Sequence, residues 1–107
     1  MPSPEKNARN LADIAADALT RLAEDLEHAN KVPPGRDDVS WDYVNAERTV
    51  AESRRMAAGA LERLAASFRD TSAPEQMARR QAEAVRGTIA PNVARGWAAA
   101  WRAYADR

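Results

Sequence analysis

The sequence predicts an all-α protein: an antiparallel three-helix bundle whose third helix is kinked or broken near Gly87–Pro91, a break that would make four helices. Three observations lead there. Apolar residues recur at three- and four-residue spacing along three long stretches. The gaps between them carry helix stops and helix caps. Alanine, the best helix former, supplies much of the hydrophobic content.

The first stretch opens at Ser3-Pro4-Glu5, with a good N-cap, a proline suited to the first helical position and an acid at the positive helix end. Leu11, Ile14, Ala15, Ala18, Leu22, Leu26 and Ala29 then form a helical stripe, widened by Leu19. Asn30 suits the end, and Val32-Pro33-Pro34-Gly35 stops the helix after about 26 residues, or about 39 Å. The second helix starts between Asp37 and Trp41, with Asp37, Asp38 or Ser40 as N-cap, and ends near Asp70. Val44, Val50 or Ala51, Ala57, Leu61, Leu64, Ala65 and Phe68 make its stripe.

The third helix has the clearest start. Ser72-Ala73-Pro74-Glu75 fits a capping box, with proline in the first turn, where its missing N–H is harmless. Met77, Val85, Ile89, Val93, Trp97 and Trp101 follow. Pro91 removes the hydrogen bond to the Gly87 carbonyl and crowds it. Gly87 can end a helix and Thr88 can cap another.

Residues 1–107 make one domain. Only fifteen of the 107 residues are Leu, Ile, Val or Phe, so the core is thin. Formal net charge is zero, which argues against disorder of the high-charge kind. Residues 1–47 carry five basic and ten acidic side chains, and residues 48–107 carry eleven and six. Such halves can attract each other within the bundle or across a homodimer, which is the expected assembly. Absence of Cys excludes disulfides and thiolate chemistry. No signal-peptide pattern and no long apolar run is evident, so a cytoplasmic location without membrane contact is expected.

Three helices running up, down and up would gather Trp41, Tyr43, Trp97, Trp101 and Tyr104 at one end, with Leu11, Ile14, Leu64, Phe68 and Met77 at the other. Trp97, Trp101 and Tyr104 share a helix face, and large anchors so spaced either fill a bundle's end or dock on a partner.

His28 is the sole histidine, so no triad and no two-histidine metal site exists within one chain. Asp25-x-x-His28 has the spacing of half a di-iron site, but the facing helices offer no inward carboxylates. No Gly-rich phosphate loop or nucleophile elbow is present, and no cofactor or metal is expected. The reading is a non-catalytic helical interaction protein, a regulator, inhibitor or assembly subunit. Trp97, Trp101, Tyr104, Trp41 and Tyr43 are its candidate partner-binding residues. The alternative is a nucleic-acid-associated protein using Arg54, Arg55, Arg79, Arg80 and Arg86 on helices two and three.

Overall fold

The computed structural model describes residues 4–32, 41–69 and 72–107. It contains four helices and, among the described residues, no strand: α1 Pro4–Lys31, α2 Trp41–Ser67, α3 Ala73–Arg86 and α4 Pro91–Ala105. At 1.5 Å per residue, α1 and α2 are each about 40 Å long, and α3 and α4 are roughly half that. The expected caps at Ser3, Asp37, Asp38 and Ser40 lie outside the described residues.

The third helical stretch is broken, and Pro91 breaks it. A proline disfavours the helical region for the residue before it. Ala90 accordingly sits at φ −75° and ψ 147°, and α4 begins at Pro91 with Ala90, not the expected Thr88, as its N-cap. The Ala90 carbonyl accepts from Val93 N at 3.0 Å and Ala94 N at 3.2 Å. Gly87 has a negative φ of −92°, so it is not there for a left-handed turn. By contrast, α3 starts as its residues dictate. Ser72 is the N-cap, its Oγ accepts from Glu75 N at 3.3 Å, and the buried Glu75 carboxylate holds Arg79 one turn on.

The reversal after α3 decides the architecture. α2 runs antiparallel to α1, α3 runs back along α2, and α4 runs antiparallel to α1. Across the molecule the order is α4, α1, α2, α3, and no Cα of α3 comes within 8 Å of one in α4. The up-down-up arrangement with five aromatics at one end is therefore corrected. Because α4 turns back, Trp101 and Tyr104 return to the Phe68 end of α2, while Tyr43 stays about 36 Å away at the other.

Fourteen of the 22 buried apolar residues among those described are Ala. Small side chains let the axes approach closely, and Leu19, Leu22, Leu61, Leu64 and Val85 fill the space between them. Three residues expected in the core stripes are exposed instead: Ile14, Met77 and Val93. Ile14 lies roughly 140° around α1 from the mean direction of Ala12, Ala15, Ala16, Leu19, Leu22, Ala23 and Leu26. Seven apolar residues on one face, three of them Leu, outweigh one Ile on the other.

The charge asymmetry is used inside the chain. Arg95 of α4 bonds Glu27 of α1 through Nε and Nη2, at 2.7 and 3.0 Å. About two turns further along, Arg102 reaches Asp13 at 3.3 Å and Asp17 at 2.6 Å. The hydrogen bond from Arg95 holds the Glu27 carboxyl below its ordinary range. Asp17 raises the Arg102 guanidinium, and Glu27 raises that of Arg95.

Candidate partner-binding groove

Because α3 and α4 stand apart, a cleft of about 430 Å³ runs between them. α4 contributes Trp97, Ala100, Trp101 and Tyr104, and α3 contributes Pro74, Met77 and Gln81. At 100° per residue, α4 turns Ala94, Ala98 and Trp101 inward, which leaves Trp97 and Tyr104 on the flank facing α3. α3 turns Ala78, Ala82 and Val85 inward, which puts Met77 on the flank facing α4.

The floor of the cleft is ordered. Trp101 Nε1 donates to Gln81 Oε1 at 2.6 Å, and both residues are buried. Tyr104 makes edge contacts with the Trp101 ring at 5.8 Å and with Phe68 at 6.1 Å between centroids. The walls are open: Met77 is 52% exposed, and Trp97 and Tyr104 are half-buried. Arg107 is the one charged residue among those lining the cleft.

Of the five aromatic candidates, the structure thus brings together Trp97, Trp101 and Tyr104. Tyr43 lies far along α2, and the side chain of Trp41 is outside the described residues. Sequence reasoning missed the α3 wall, Pro74, Met77 and Gln81. The available signal was the position of Met77, roughly 100° off the Ala78, Ala82 and Val85 stripe.

The five arginine candidates divide. Arg54, Arg55 and Arg86 line one cleft on α2 and the end of α3. Arg79 is paired with Glu75, and Arg80 is exposed on another side of α3. His28 is exposed near the end of α1. Asp25 accepts from Ser53 Oγ and lies 4.0 Å from Arg21. Among the described residues, no group of three or more His, Asp or Glu could hold a metal ion. None of the helices there is long and apolar enough to cross a membrane.

No protein-family model matches this chain, and no curated protein or solved structure is significantly similar to it.

Proposed function

We propose that this chain is a non-catalytic interaction protein, a regulator, inhibitor or assembly subunit, that seats the apolar face of a partner's amphipathic helix between α3 and α4. One observation carries the reading: an open, mostly apolar cleft whose rigid aromatic floor is already in place. Two flanking helices and a floor of Trp and Tyr form the kind of groove that helical ligands fill with residues spaced three and four apart. Trp and Tyr also give large contact area at low entropic cost. The lone Arg107 at the rim favours a partner helix with an acid near one end. The complementary charges of α1 and α4 are engaged within the chain, so they leave less for the homodimer than the sequence implied.

The test places a photo-crosslinking amino acid at position 100, in place of the exposed Ala100 of the cleft wall, and captures partners from lysate of the protein's own source, with and without nuclease. A single protein crosslinked at position 100, and lost in Met77→Glu or Trp97→Ala, is the expected result. Met77 is exposed, so Met77→Glu leaves the thermal midpoint unchanged. Crosslinks that survive both substitutions, or that disappear with nuclease, would overturn the reading. Crosslinking only to a second copy would make the occupant this chain's own homodimer.

A further inference from the structure

Met77 and Arg86 are nine residues apart on α3, half a turn out of phase, so Arg86 points away from the aromatic groove. On that side, α2 and the end of α3 form a second cleft of about 530 Å³ lined by Ala51, Arg54, Arg55, Ala58, Gly59 and Arg86. Every charged residue lining it is an arginine. Its floor is two alanines and a glycine, and a Cβ on Gly59 would meet nothing within 4 Å. The space beside Gly59 is thus open.

Arg54 Nε is buried and has no hydrogen-bond partner. A buried charged donor without an acceptor is costly, and an anion drawn to the Arg54 guanidinium offsets part of that cost. Arg86 does have a partner, Glu62, but both side chains are about half exposed, and exposed pairs hold weakly. Its guanidinium also has five donors, more than one carboxylate oxygen uses.

We infer that this cleft binds the phosphate group of a small phosphorylated molecule, with Arg54, Arg55 and Arg86 as the clamp. Set against Glu62, the three guanidiniums still carry more charge than one carboxylate ligand can neutralise. A phosphate monoester brings nearly two charges and three acceptor oxygens, and guanidinium forks match it in pairs. A nucleic-acid backbone fits less well, because acids interrupt the basic surface on both sides: Asp17 lies with Arg21 and Arg63 in the hollow that shares Arg55. The adjoining hollow between α2 and α3 holds Glu62 and Glu83, and Arg79 is paired with Glu75. The site is independent of the partner groove.

Inorganic phosphate titrated into the full chain at constant ionic strength, followed through the arginine Nε–H signals by NMR, tests the inference. The expected result is a saturable, one-site shift at Arg54 that chloride does not reproduce. Arg54→Gln weakens it about tenfold or more, as loss of a charge-assisted bond should. Gly59→Glu removes it altogether, because the new carboxylate stands one turn from Arg55 and enters the cleft. That substitution raises the thermal midpoint, since glycine is a poor helix residue and the space is open, so lost binding is separable from lost folding. Shifts that grow linearly and match chloride, or phosphate binding intact in folded Gly59→Glu, would sink the inference. So would displacement of phosphate by a short oligonucleotide with steep salt dependence, which would assign the arginines to nucleic acid.

Discussion

Trp101 and Gln81 join α4 to α3 by a hydrogen bond of 2.6 Å, at residues only 5% and 4% exposed, where the two backbones do not approach. Gln81→Leu strands the indole N–H and should cost about 1–3 kcal/mol. Trp101→Phe strands the amide. Urea unfolding of the two single variants and the double variant forms a cycle. The double variant should be more stable than the sum of the two losses predicts, because neither polar group is then left alone.

Gly59 and Gly96 lie inside helices, and an added Cβ meets nothing within 4 Å at either position. Gly59→Ala and Gly96→Ala should each stabilise by about 0.5–1 kcal/mol, read as a raised thermal midpoint. The gain comes from backbone entropy and helix propensity and requires no new contact.

Glu27 and Arg95 give a pH signature. The folded-state pKa of Glu27 is below its ordinary 4.5 because Arg95 hydrogen-bonds its carboxylate. Stability from a depressed carboxylate is complete above the unfolded value and is lost as pH falls through the folded one. Glu27→Gln should therefore lower the thermal midpoint at neutral pH. The gap from the parent protein should close progressively as the medium is acidified below 4.5.

The seat of α4 is made of small residues. Ala94 and Ala98 are buried against the rest of the bundle. Ala98→Leu forces the axis outward and should cost about 1–3 kcal/mol. Leu22→Ala removes one of few large side chains and should cost about 2–5 kcal/mol. Against the roughly 5–15 kcal/mol that holds a domain together, either loss should show as a lower urea midpoint.

Local signals announce local structure here. Ser72, Pro74 and Glu75 specify the start of α3, because a cap is a matter of three consecutive residues. Pro91 announces a discontinuity, and the extended Ala90 before it turns that into a break. The direction of α4 after the break is a different kind of fact. It depends on Arg95 and Arg102 finding acids 68 to 89 positions earlier, and on Trp101 finding Gln81. In the sequence those arginines are only part of a basic half. The α4 wall of the groove was legible because Trp97, Trp101 and Tyr104 are large and regularly spaced. The α3 wall was not, because a lone methionine in a helical stretch reads as core.

Each short helix rests on its own long one, α3 on α2 and α4 on α1. The chain between Arg86 and Pro91 thus joins two helices that each have a separate seat. A single cut after Arg86 would release no piece: the fragment carrying α4 would stay docked through Ala94, Ala98, Trp101 and its two arginines. This molecule is, in effect, two polypeptides that happen to be joined, and a synthetic α4 peptide should restore a chain truncated at its own boundary.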